Sequence, residues 1–280
     1  MSGIVSRSVA KVNLALNITK KNDDGYHSME SVFAFLNEIY DTLTLYPNIE
    51  FNENSGTING VLDEENSIKK AFKILKDNFN LKIPHVTIKK KLPISGGVGG
   101  GSSNSACFVN AVFDIWKFSQ HEKMKYMNVF RELGADARVF LYKYFTNAKF
   151  VYLDGTGIDG TLLPINLETG GQCILLINNA TKLSTKSVFK GFCEKFRNKL
   201  GVAKMKRKIL KTFHNSLQKS AIELEPSIQN ILANMKSTFP IFWGVSGSGP
   251  TCFALYKDVK KARLARRALS EYEFTEIGYI

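Results

Sequence analysis

Gly96, Gly97, Gly99, Gly100 and Gly101 fall within six consecutive positions, in the run Leu92-Pro93-Ile94-Ser95-Gly96-Gly97-Val98-Gly99-Gly100-Gly101-Ser102-Ser103. The chain has 21 glycines, so five in six positions is a local concentration that calls for a cause. Glycine permits close approach of backbone to a ligand and adopts φ values that other residues avoid. A helix that starts directly after such a loop presents unpaired N–H donors and the positive end of its dipole. Together these features suit the binding of phosphate. Two common phosphate loops do not fit. A Walker loop needs lysine after its last glycine, and Ser102 stands there; a dinucleotide loop starting at Gly97 needs its third glycine where Ser102 again stands. A flexible linker would not carry apolar Leu92, Ile94 and Val98.

A second glycine-rich loop, Trp243-Gly244-Val245-Ser246-Gly247-Ser248-Gly249-Pro250, lies between strand-like Pro240–Val245 and Thr251–Tyr256. Lys11 and Asn13 fall side by side in an alternating stretch at 9–18, where Val12, Leu14, Leu16 and Ile18 face the other way. Alternation predicts a half-buried strand. A lysine on an ordinary solvent-facing side would give the same pattern. Asp136, in Gly134-Ala135-Asp136, reads as a turn or capping residue on local grounds.

The elements that must position these residues follow from periodicity and punctuation. Asn22-Asp23-Asp24-Gly25 predicts a turn, followed by strands over 29–36 and 39–45. Asn66 can cap a helix carrying Ile68, Ala71, Phe72, Leu75 and Phe79 on one face. Val86 and Ile88 mark a strand into the glycine loop. Ser102 or Ser103 then caps a helix to about Trp116, with Ala106, Val109, Asn110 and Phe113 on one side. Another helix is predicted from about Glu122 to Leu133. The second half predicts strands at 149–153 and 173–177, helices near 184–198, 204–220, 226–237 and 259–270, and a short strand near Ile277. Mixed helices and strands with early antiparallel hairpins predict an α+β architecture in two lobes.

Composition bounds the function. At 280 residues, 44% hydrophobic, the chain can bury a substantial core. No apolar run approaches the ~20 residues of a membrane helix, and the N-terminus lacks the apolar segment of a signal peptide. The four cysteines, Cys107, Cys173, Cys193 and Cys252, are widely spaced without metal-ligand spacing, which favours a reducing cytoplasm. The net charge is +13, and the stretch from Lys195 to Ile222 carries nine lysines or arginines with no acid. Such a block could bind nucleic acid, steer a small polyanion, or form a solvated face. Only Phe196 and Phe213 lie within it as aromatics, a weak basis for base stacking.

Three separated motifs then converge. Lys11-Val-Asn13, Pro93-x3-Gly-Gly-x-Gly-Gly-Gly-Ser-Ser103 and Val245-Ser-Gly-Ser-Gly-Pro-Thr251 occur in an order that resembles the GHMP kinases. Asp24-Gly25-Tyr26-His27-Ser28-Met29, Gly134-Ala135-Asp136 and Ala221-Ile-Glu-Leu-Glu-Pro226 resemble the branch of that family whose acceptor is a cytidine-diphosphate-linked sugar alcohol, used in non-mevalonate isoprenoid precursor synthesis. The resemblance runs along nearly the whole chain. It implies a two-lobed α+β fold with the active site in the cleft between the lobes, an ATP-binding N-terminal domain over 1–152 and a C-terminal domain over 153–280. It implies ATP and Mg2+, no nucleic-acid or membrane partner, and transfer of the γ-phosphoryl to a 2-hydroxyl. It implies that Pro93, Ile94, Ser95, Gly96, Gly97, Val98, Gly99, Gly100, Gly101, Ser102 and Ser103 wrap the ATP phosphates, and that Lys11 and Asp136 form the catalytic pair. Asn13, Tyr26, His27, Thr185 and Phe189 are implied to bind the acceptor, with Tyr26 and Phe189 on either side of its base. The magnesium ligands are not implied. The chain departs from the family pattern at Ser95, usually glycine, and at Arg138, usually proline. Alternatives at this stage are a mevalonate- or homoserine-type kinase and a basic nucleic-acid-binding protein.

Overall fold

The computed structural model describes residues 3–23, 27–51, 67–179, 181–192 and 214–280. The expected Asn66 cap, Tyr26, Cys193 and the basic stretch from Lys195 to Lys211 lie outside them. The architecture is α+β, as expected. It divides into two compact units that interleave along the chain.

One unit comprises Met1–Val9, Tyr40–Leu92 and Gly99–Ala148. It contains the start of β1 (Ile4–Lys21) and the second half of β2 (His27–Glu50), which pairs antiparallel with β3 (Pro84–Lys89) in the register Leu43↔Ile88 and Leu45↔Val86. The helices are α1 (Ser67–Asn78), α2 (Gly100–Ile115), α3 (Gln120–Tyr126) and α4 (Ala135–Thr146), with a 3-10 helix over Met127–Leu133. Ile68, Ala71, Phe72 and Leu75 form the buried face of α1, as the periodicity predicts, whereas Phe79, expected on the same face, lies just past the helix end and is partly buried. Phe79, Phe113, Phe118, Tyr126 and Phe130 pack as an aromatic cluster; the Phe113 and Phe118 rings stack at 4.5 Å and Tyr126 meets Phe79 edge-on at 5.0 Å. Such ring geometries add to the stabilisation from burial alone. Ser119 caps α3 in a reciprocal capping box with Glu122.

The other unit comprises Ala10–Ile39, Pro93–Val98 and Lys149–Ile280. The first half of β2 pairs antiparallel with β4 (Phe150–Gly155), from Met29↔Gly155 to Ala34↔Phe150, and β4 with β5 (Thr161–Pro164). A separate antiparallel sheet has the order β7 (Phe242–Val245), β8 (Cys252–Tyr256), β6 (Cys173–Asn178), β9 (Phe274–Tyr279). The helices are α5 (Thr185–Gly191), α6 (Gln218–Leu224), α7 (Ser227–Ser237) and α8 (Val259–Ala268). Ile228, Ile231, Leu232 and Met235 of α7 and Ala262 and Ala265 of α8 join Leu175, Ile177, Ala254 and Tyr256 in one core. Burial of such side chains, at ~1.5–3 kcal/mol for each large one, is the main source of stability here.

Four expectations are corrected. The strands predicted at 29–36 and 39–45 are one continuous strand, β2; Asn37 and Glu38 are exposed and interrupt the alternation without breaking it. The helix predicted over 122–133 is α3 followed by the 3-10 helix. β1 is buried on both faces from Ser8 to Ile18 instead of half-buried. Asp136 lies in the first turn of α4, a helix that the sequence pattern did not predict because its side chains are buried on all sides and carry no amphipathic period.

Candidate active site

Lys11 and Asn13 sit on β1 and are each only 3% exposed, which rules out a solvent-facing lysine. A buried ammonium needs compensating contacts. Lys11 Nζ donates to Asn13 Oδ1 at 2.7 Å and lies 5.6 Å from the centre of the Phe33 ring. Asn13 Nδ2 donates to Ser31 Oγ at 2.9 Å, and Ser31 Oγ donates to the Ala15 carbonyl at 2.8 Å. The Asn13 backbone N–H donates to Ser246 Oγ at 3.3 Å.

Ser246 joins the two glycine loops. Its hydroxyl donates to the Gly97 carbonyl at 3.1 Å, while Thr251 N–H donates to Gly96 O at 3.1 Å and Lys11 N–H to Val98 O at 3.1 Å. Asn178 Nδ2 donates to Thr251 Oγ1 at 2.8 Å, and Asn215 Nδ2 to the Val245 and Gly247 carbonyls. Pro93–Val98 and Val245–Thr251 are therefore packed backbone to backbone beside Lys11. Gly97 has φ 76°, and a Cβ there would lie 2.7 Å from the carbonyl oxygens of both Ser246 and Gly249. Gly97→Ala is expected to cost about 1–3 kcal/mol through left-handed strain and this collision. Gly101→Ala, whose added Cβ would meet only Ser67 Oγ at 3.7 Å, should be neutral or stabilising in a helix. Urea denaturation of the two variants checks this; equal midpoints would contradict it.

The remaining loop residues belong to the other unit. Gly99, with φ 73°, is the left-handed N-cap of α2, which begins at Gly100 without a side-chain cap. The expected Ser102 or Ser103 cap is thus displaced: Ser103 is buried inside α2, bonded to the Tyr144 hydroxyl at 2.9 Å. The first-turn N–H groups of a 16-residue helix with no acidic residue in that turn form a setting for an anion. Asp41, fully buried on β2, fixes the approach to the loop by accepting from the Lys91 and Leu92 N–H groups at 2.7 and 2.8 Å and pairing with Lys90. Sequence reasoning missed Asp41, which lies about fifty residues from its partners; the Lys89–Lys91 triplet was the available signal.

Asp136 is half-buried in the first turn of α4, where the helix dipole favours a negative charge. Gly134 before it has φ 99° with open space around its Cα, so glycine serves the backbone turn there, not room for a neighbour. Arg138 N–H donates to Gly134 O at 3.2 Å, a bond that proline could not make. Ser95 adopts φ 55°, the left-handed region suited to the glycine of the family pattern.

His27, at the start of β2, meets the Phe189 ring of α5 at 5.3 Å and the Phe192 ring edge-on at 6.4 Å. Phe192 was not singled out in the sequence. Exposed Thr185 pairs its hydroxyl with Ser248 at 3.0 Å, tying α5 to the second glycine loop. Burial pushes the Cys107 thiol up to about 12 and raises Cys252 and Cys173, so these thiols are poor nucleophiles.

Comparison with known proteins gives this geometry a family. The model for the GHMP kinases N-terminal domain matches residues 66–143, and that for the GHMP kinases C-terminal region matches 193–273. A 4-diphosphocytidyl-2-C-methyl-D-erythritol kinase of Erythrobacter litoralis is 30% identical over 96% of this chain and 95% of its own length. The chain belongs to that family of GHMP kinases. A second relative of the same name, from Novosphingobium aromaticivorans, is 32% identical to this kinase, covering 93% of this chain and 87% of its own. A solved 4-(cytidine 5'-diphospho)-2C-methyl-D-erythritol kinase shares the kinase's fold with a TM-score of 0.80, covering 99% and 98% of the two chains at 23% identity. A solved mevalonate kinase gives 0.64 at 14% identity, covering 99% and 98%. Gly99–Ser103 and Asp136 fall within the N-terminal family segment of this kinase, and Val245–Thr251 within its C-terminal one.

Proposed function

We propose that this kinase transfers the γ-phosphoryl group of ATP to the 2-hydroxyl of 4-diphosphocytidyl-2-C-methyl-D-erythritol, a step of non-mevalonate isoprenoid precursor synthesis in the cytoplasm. The observation that carries it is the likeness to relatives of that name at 30–32% identity along almost the whole chain. Phosphoryl transfer depends on alignment and charge neutralisation more than on covalent chemistry. Asp136 accepts the proton of the acceptor hydroxyl as its oxygen bonds to the γ-phosphorus; the bond from that phosphorus to the bridging oxygen breaks and ADP leaves. Lys11, oriented by Asn13, offsets the negative charge around this centre. Pro93–Ser103 hold the phosphates through backbone N–H groups, with the start of α2 contributing its dipole. Mg2+ accompanies the nucleotide in this proposal. In kinase sites Mg2+ is commonly held by nucleotide phosphate oxygens and water beside one or two carboxylates. Bound there, Mg2+ would neutralise phosphate charge. The boundary at 152/153 separates the two family segments, and we retain it as the division between the ATP-binding and C-terminal domains.

The partner is a small molecule alone; among the described residues no helix is long and apolar enough to cross a membrane. Asn13, Tyr26, His27, Thr185 and Phe189 bind the acceptor, its cytosine between Tyr26 and Phe189. The contact of His27 with Phe189 supports a base site there and favours a cytidine acceptor over mevalonate or homoserine, which have no base. Coupled ADP-release assays test the reaction, and Phe189→Ala tests the site. Base–aromatic stacking is worth ~1–3 kcal/mol, so the variant should raise the acceptor KM roughly ten- to a hundredfold with the ATP KM near wild type. An unchanged acceptor KM would remove Phe189 from the site, and a raised ATP KM would mean that the two pockets are reversed.

A further inference from the structure

We infer that Ser31 is a positioning residue for the phosphoryl-transfer centre: its hydroxyl locks the orientation of the Asn13 carboxamide and through it the Lys11 ammonium. The inference rests on the role proposed above for Lys11. Ser31 is fully buried on β2 and its oxygen makes two bonds. It donates to the Ala15 carbonyl, which can only accept, so its proton is committed there at 2.8 Å. Its lone pairs then require a donor from Asn13, which is the Nδ2 end of the amide, at 2.9 Å. That leaves Oδ1 turned toward Lys11 Nζ, a group with donors only, at 2.7 Å. Rotating the amide by half a turn would set Nδ2 against the ammonium and Oδ1 against a hydroxyl whose proton is already engaged. Each bond in the series Lys11–Asn13–Ser31–Ala15 thus dictates the direction of the next, and the sense of the whole is set by a backbone carbonyl.

The backbone of Asn13 is held separately. Its N–H donates to Ser246, which in turn donates to Gly97. Removing the Ser31 hydroxyl therefore releases the Nδ2 end of the Asn13 side chain while leaving the strand and the glycine loops anchored. Lys11 retains its charge and its place over Phe33, while the Asn13 Oδ1 that accepts from Nζ is no longer held by a second bond of the amide. A loss of orientation at the reacting centre should fall on turnover, and because Asn13 is also proposed to bind the acceptor, the acceptor KM can move with it while the ATP KM does not.

Ser31→Ala should lower kcat about tenfold, the scale of one buried hydrogen bond, with the KM for ATP within twofold of wild type. Ser31→Thr, which keeps the hydroxyl, should restore kcat. In a Lys11→Met background Ser31→Ala should cause no further loss, because the residue it positions is gone. Ser31→Cys, close in size but a weak hydrogen-bonding group, provides the same test should the alanine variant fold poorly, and urea midpoints monitor folding. Wild-type kcat in Ser31→Ala or Ser31→Cys, or losses that multiply with Lys11→Met, would overturn the inference. A Lys11→Met enzyme with wild-type kcat would instead overturn the role given to Lys11, and this inference with it.

Discussion

Asp136→Asn should lower kcat by about 10²–10⁴-fold, the usual contribution of a positioned general base, with ATP affinity close to wild type. Asparagine keeps the size of the side chain and its place in the first turn of α4. It removes the negative charge and the ability to take a proton from the acceptor hydroxyl. The backbone around position 136 is set by Gly134 at φ 99° and by the Arg138 N–H bond to its carbonyl, neither of which involves the Asp136 carboxylate. Urea midpoints show whether the variant folds as the wild type does, so that a loss of turnover can be assigned to chemistry. Steady-state kinetics at saturating ATP and acceptor, with nucleotide binding measured separately, checks this. A variant retaining wild-type kcat would show that Asp136 serves only the helix start.

Lys11→Met should cost about 10²–10³-fold in kcat, the scale seen when one preorganised electrostatic donor is removed from a transition state. Methionine approximates the length of the lysine stem and removes the ammonium, together with its position over the Phe33 ring. Asn13 Oδ1 loses its donor, a penalty of ~1–3 kcal/mol that a lower urea midpoint would register. Lys11→Arg should not rescue activity. Its planar fork is larger than an ammonium and demands more than one acceptor, in a site 3% exposed. Full activity in either variant would remove Lys11 from the mechanism.

The chemistry-bearing motifs were legible because each is local. The glycine run, the Lys11-x-Asn13 alternation and the second glycine loop each state a backbone or strand requirement within a few residues. The contacts that turn them into one structure are not local. Lys11 and Asn13 read as one face of a half-buried strand, yet Val98 and Ser246 bond to β1 from distant parts of the chain and no alternation could disclose them. Asn37-Glu38 looked like a break, but the strand continues and Glu38 accepts from the Tyr279 N–H at 3.0 Å. The buried face of α1 showed a helical period and was predicted correctly. α4 is buried all round and showed none. Asp41 and Phe192 escaped notice for the same reason: a lone aspartate and a lone phenylalanine acquire meaning only from partners far away in sequence.

The central claim is that the chain phosphorylates a cytidine-diphosphate sugar alcohol at the expense of ATP. Its most direct test is a coupled ADP-release assay on the purified protein with ATP and Mg2+, supplying 4-diphosphocytidyl-2-C-methyl-D-erythritol, mevalonate or homoserine in turn. ADP release should depend on the cytidylyl acceptor and occur in one-to-one ratio with its phosphorylated product. Equal turnover with mevalonate or homoserine, or no turnover with any acceptor, would contradict the account.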